Sequence, residues 1–96
     1  MDEELRAKLA ERERVIAKIQ SILVDDLHVG LPPEAIDLDA ALFGTGLALD
    51  SVDALELVVS AEAAFGVRFP EETLRTSLRT VNALADLVLD LRKASS

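Results

Sequence analysis

A chain of 96 residues, half of them hydrophobic but with no run of about 18 apolar residues, is expected to fold as one small soluble domain. It has no cysteine, which excludes disulfides, thiolate metal sites and a cysteine nucleophile, and its opening Met1-Asp2-Glu3-Glu4 lacks the basic and apolar stretches of a secretory signal, so the cytoplasm is the expected compartment. Eighteen acids against ten bases give a net charge of −8, which disfavours nucleic acid as a partner because that partner requires a cationic footprint.

The first helix is expected from about Glu3 to Asp26. Leu5, Leu9, Arg12, Ile16, Ile19 and Leu23 recur at spacings of three and four, Val15 and Ile22 widen the stripe, and Glu4 and Lys8 form a favourable i,i+4 pair. Its first three turns, within a charged extension over 1–12, either project beyond the body or continue the stack. Residues 27–50 read as a long connection. Pro32-Pro33 break any helix, Gly30, Gly44 and Gly46 permit turns, and Leu38, Leu42, Phe43 and Leu47 are apolar anchors. Connections of this length are often functional, and this one delivers Ser51.

A second helix is expected from about Ser51 to Phe65, ended by Gly66. Ala54, Leu57, Val58, Ala61 and Phe65 share the face that must enter the core. Val52, Leu55 and Val59 form another apolar stripe beside Asp53, Glu56 and Ser60. That stripe is either covered by the loop or the next helix, or left open as a partner surface. A short helix begins near Pro70 and runs through Glu71-Glu72-Thr73-Leu74. Thr80 reads as the cap of a last helix from Val81 to about Arg92, with Val81, Leu84, Leu87, Val88 and Leu91 inward, before a frayed tail over 94–96. No stretch alternates as a strand does. The expected fold is all-α, a small four-helix bundle of three long helices and one short, within a single domain spanning 1–96.

The charge is concentrated where the second helix begins. Residues 21–50 hold six acids and no base, and residues 51–70 hold three acids and only Arg68, whereas the two ends of the chain are balanced. This fits an acidic surface for basic partners as well as ordinary solubility. At its centre lies Asp50-Ser51, where a glycine-bearing apolar loop gives way to the helical pattern. A helix N-terminus has amides without internal partners and a positive dipole end, so a hydroxyl there can carry a phosphate ester. Asp50 or Ser51 can instead simply cap the helix, with Asp53 completing a capping box.

Other chemistries fit poorly. His28 is the only histidine, and no general base has a claim on Ser51, so no catalytic residue is assigned. Asp25, Asp26, Asp37, Asp39 and Asp50 lack the alternation, central glycine and terminal glutamate of a calcium loop, so no metal site is assigned. A helical interaction adaptor, using the Val52-Leu55-Val59 stripe without a prosthetic group, remains open.

The order of elements, with a long loop before a serine-led helix, resembles that of the acyl carrier proteins over about Glu13 to Leu91. The resemblance is densest through Phe43, Leu47, Asp50-Ser51, Asp53, Glu56-Leu57-Val58, Glu62, Phe65-Gly66-Val67, Pro70 and Glu71, and Thr80-Val81 also fits. It implies that Ser51 receives 4′-phosphopantetheine from coenzyme A through a phosphopantetheinyl transferase, with Asp50 orienting the site. It implies acidic partner contacts from Asp53, Glu56 and Glu62 and apolar ones from Val52, Leu55 and Val59. The implied function is a non-catalytic, cytoplasmic, monomeric carrier without nucleic-acid or membrane partners. It would hold an acyl cargo as a thioester and serve loading ligases and acyl-processing enzymes with basic docking surfaces; an aminoacyl or peptidyl cargo would use the same arm. Three departures point to a specialised pathway rather than housekeeping fatty acid synthesis. Gly46-Leu47-Ala48 replaces an acid-Leu-Gly sequence, Ala63-Ala64 follow Glu62 where further acids are common, and His28 stands where glycine is frequent.

Overall fold

The computed structural model describes residues 2–43, 49–72 and 77–95, with three α-helices: α1 Glu3–Asp25, α2 Ser51–Phe65 and α3 Val81–Ser95. The connection before α2 contains a 3₁₀ turn at Pro33–Ala35, which the Pro-Pro pair was expected only to break. Pro33 presets the backbone angle for such a turn, and the Ala35 and Ile36 amides donate to the Pro32 and Pro33 carbonyls. Of the short helix expected through Pro70-Glu71-Glu72-Thr73-Leu74, Glu71 and Glu72 are helical, while Thr73 and Leu74 fall within 73–76, outside the described residues; Ser77 is helical. Among the described residues there is no strand, only an isolated bridge between Phe43 and Leu49. No described helix is long and apolar enough to cross a membrane.

Each helix begins where a side chain answers its open amides. Asp2 caps α1, accepting from the Leu5 amide at 2.7 Å, and Glu3 and Glu4 follow at the positive end of its dipole. Thr80 caps α3 as expected, its Oγ1 accepting from the Ala83 amide at 3.0 Å. Gly66 ends α2 at φ 66°, a left-handed conformation that glycine adopts without strain. His28, beyond the end of α1, also sits left-handed, at φ 54°. This gives a physical reason for a glycine preference at that place.

α1 is the spine on which both α2 and α3 pack. Val15, Ile19, Ile22 and Leu23 of α1 meet Leu57 and Ala61 of α2 and Val81, Leu84, Ala85, Leu87 and Val88 of α3 in one core, and among the described residues no polar or charged residue is buried. Ala54, Val58, Phe65 and Leu91, expected inside, are only half-buried. Leu5 and Leu9 depart further from expectation, remaining 46% and 44% exposed. At 23 residues against 15, α1 outruns each of the other helices by about 12 Å, so its first turns lack a neighbour on every side. Those turns do not project freely. Glu4, Lys8 and Glu11 share a hollow with Leu89, Asp90, Arg92 and Lys93 at the end of α3.

The long connection is fastened at several points. Leu42 is fully buried, its amide donates to the Arg79 carbonyl at 2.9 Å, and its own carbonyl accepts from the Leu49 amide at 3.0 Å. Leu38 and Phe43 pack partly against the core; Leu47, with Gly44 and Gly46, lies outside the described residues. Asn82 is a polar hub. Its amide donates to the Leu38 carbonyl at 3.1 Å, its Nδ2 donates to Asp39 at 2.8 Å, and its Oδ1 accepts from Arg12 at 3.1 Å. Arg12, placed on the apolar stripe by spacing, also pairs with Asp86. One arginine on α1 thereby grips α3 and, through Asn82, the loop leading to α2.

Candidate functional site

Asp50 and Ser51 divide the work at the start of α2. Asp50 is the N-cap, with extended backbone, and its Oδ1 accepts from the Asp53 amide at 2.9 Å. Asp53 reciprocates, accepting from the Asp50 amide at 3.1 Å, so the capping box is complete. Ser51 is the first helical residue, exposed, and its hydroxyl enters no hydrogen bond among the described residues. The neighbouring carboxylates have taken the capping role that sequence left open between Asp50 and Ser51. The oxygen is therefore available for chemistry at the positive end of a helix.

Beside it lies an open groove of about 740 Å³, lined by Phe43, Leu49, Ala54 and Leu78 and rimmed by Asp39, Asp50, Ser51, Arg79 and Thr80. Sequence reading did not find this groove. Thr80 was legible as a cap, but only the pinned loop brings the start of α3 next to the start of α2. The Leu42–Arg79 backbone bond and the Phe43–Leu49 bridge make that connection, and neither has a local sequence signature. His28 is not among the lining residues.

The second stripe on α2 is open. Val52, Leu55 and Val59 are 70%, 66% and 57% exposed, and no described loop or helix covers them. Glu56 is exposed beside them. The other two acids on this face also serve the fold. Asp53 is half-buried in the capping box, and Glu62 accepts from the Phe69 amide at 2.8 Å, holding the turn after α2.

Residues 17–88 match the family model described as "Phosphopantetheine attachment site". The chain is 38% identical to an acyl carrier protein of Renibacterium salmoninarum over 73 residues, covering 76% of this chain and 85% of that one. An acyl carrier protein of Arthrobacter sp. is 37% identical over the same shares of each chain. One from Rubrobacter xylanophilus is 34% identical over 84 residues, covering 88% of this chain and 99% of that protein.

Proposed function

The chain belongs to the acyl carrier protein family, with covalently held 4′-phosphopantetheine as its cofactor, and from that premise we propose that Ser51 bears the group. The observation that carries this reading is the exposed Ser51 hydroxyl, released from capping by Asp50 and Asp53 at the positive end of α2. The residues fit a phosphodiester. The serine oxygen stands at an N-terminus suited to an anion, with a groove beside it roomy enough for an arm. The bound group supplies a thiol on which a carboxylic cargo is held as a thioester. This chain's residues supply position and recognition. Asp50 fixes where the helix starts, the 3₁₀ turn and Leu42 fix the loop that delivers it, and the chemistry of loading and processing belongs to the partner enzymes.

Partners are read by the exposed face of α2. Val52, Leu55 and Val59 offer apolar contact, with Asp53, Glu56 and Glu62 at its acidic border. This matches enzymes with basic docking surfaces, including the phosphopantetheinyl transferase and loading ligases. The three sequence departures around Ser51, after Glu62 and at His28 support a narrower set of enzymes than housekeeping fatty acid synthesis uses. On this reading the protein is a non-catalytic, monomeric carrier of the cytoplasm.

Intact mass after incubation with coenzyme A, magnesium and a broad-specificity phosphopantetheinyl transferase tests the proposal. Gain of one phosphopantetheine by the wild type but not by Ser51→Ala is the expected result. No gain from a confirmed apo chain would overturn it and favour an adaptor acting through the α2 stripe.

A further inference from the structure

The surroundings of Ser51 are anionic before any phosphate arrives. Asp50 and Asp53 flank it in the capping box, and Asp39 stands on the same groove. Residues 21–50 contain no lysine or arginine. A phosphodiester on Ser51 therefore enters a field of carboxylates that the dipole of α2 offsets only in part. Among the described residues lining the groove, Arg79 is the one cation. Its side chain is exposed and makes no ion pair among the described residues, although its backbone is fixed by the bond from the Leu42 amide. Thr80, next to it, caps α3, so a second positive helix end opens on the same groove.

We infer that Arg79 holds the phosphodiester end of the arm, laying its proximal part along the groove over Phe43, Leu49, Ala54 and Leu78. The inference rests on Ser51 as the attachment residue. A guanidinium is suited to the task, presenting several donors to phosphate oxygens while keeping its charge at every working pH. The floor of the groove is apolar, which matches the aliphatic portion of the arm, and the rim supplies donors and acceptors for its polar groups. Because the arm is tethered to a residue that itself lines the groove, docking is intramolecular. A weak exposed contact then suffices to populate the docked state. In this state the thiol is held back near the carrier. A partner would release it by competing for Arg79 or by drawing the arm out of the groove.

The test compares apo and holo protein, wild type, Arg79→Gln and Arg79→Lys, with loading verified by mass. The backbone bond to Leu42 survives either substitution, and unchanged amide spectra of the apo variants would confirm the fold. The expected result is that loading shifts amide resonances at Phe43, Leu49, Ala54 and Leu78–Thr80 in the wild type. Arg79→Gln should abolish those distant shifts, move the ³¹P resonance of the phosphodiester and speed alkylation of the thiol about two- to fivefold, the factor an exposed ion pair is worth. Arg79→Lys should retain an intermediate effect that fades with added salt. Shifts confined to residues 50–53, with the same ³¹P position and alkylation rate in all three proteins, would overturn the role of Arg79 while leaving the carrier reading intact. Failure of the wild type to gain mass would overturn both.

Discussion

Asp50 and Ser51 have side chains that can both cap a helix, and the structure separates them by one position. The residue with extended backbone takes the cap, and the residue after it is left with a free hydroxyl. Asp50→Ala should therefore cost about 1 kcal/mol, seen as a lower urea midpoint at unchanged slope, whereas Asp50→Asn should stay within a few tenths. If Asp50→Asn nevertheless slows transfer of phosphopantetheine, the carboxylate also serves the transferase; equal rates would confine it to the cap. His28 makes a second argument at this scale. Its φ of 54° costs a side-chain-bearing residue about 1–2 kcal/mol, and the residue is exposed. Allowing for the extra freedom glycine has when unfolded, His28→Gly should stabilise the fold by about 0.5–1 kcal/mol. A midpoint that falls would show that the imidazole has a stabilising contact. The capping box was legible because its partners are three residues apart. The Glu62 bond to the Phe69 amide was not, since it depends on the reversal that Gly66 introduces between them.

At the scale of the elements, periodicity located the helices closely because each helix has one apolar stripe with a partner over most of its length. It could not show where a partner stops. Leu5 and Leu9 keep the spacing of core residues yet stand open, because covering them depends on the lengths of the other helices. Nor could it say whether the second stripe of α2 is covered like the first, since Val52, Leu55 and Val59 are as apolar as the residues that pack. The structure ranks them, and stability measurements should agree. Leu57→Ala, at a fully buried position, should cost about 2–5 kcal/mol by leaving a cavity. Leu55→Ala and Val59→Ala should lie within about 0.5 kcal/mol of wild type. The same two substitutions should raise KM for the transferase while leaving the fold alone. A large stability loss at Leu55 would mean that the stripe is covered and is not a docking face.

The whole molecule sets two opposed electrostatic requirements. Asn82 and Arg12 join α1, α3 and the loop through a few polar contacts, so Asn82→Ala and Arg12→Ala should be strongly non-additive. The double variant should cost less than the sum of the single ones by a coupling of about 0.5–2 kcal/mol in a double-mutant cycle, while the separate Arg12–Asp86 and Asn82–Asp39 contacts keep it worse than either. Against this local cohesion stands a net charge of −8, crowded into the loop and α2, whereas the Glu4–Lys8 and Arg12–Asp86 pairs lie within α1 and between α1 and α3. Like charges at that density repel in the folded state more than in the expanded chain. Screening should therefore stabilise the fold. Between about 0.01 and 0.2 M sodium chloride the Debye length falls from about 30 Å to under 10 Å, short against the 39 Å long axis of the molecule. A gain of about 1 kcal/mol would raise Tm by about 4–8 °C in a domain of this size. Docking to a basic partner should move the other way, weakening over the same range as the attraction to the acidic border of α2 is screened. A Tm that rises while the transferase KM also rises would show one charge distribution acting with opposite sign on folding and on recognition. A flat KM would assign docking to Val52, Leu55 and Val59, and a falling Tm would show that attractive pairs outweigh the repulsion of the acidic belt.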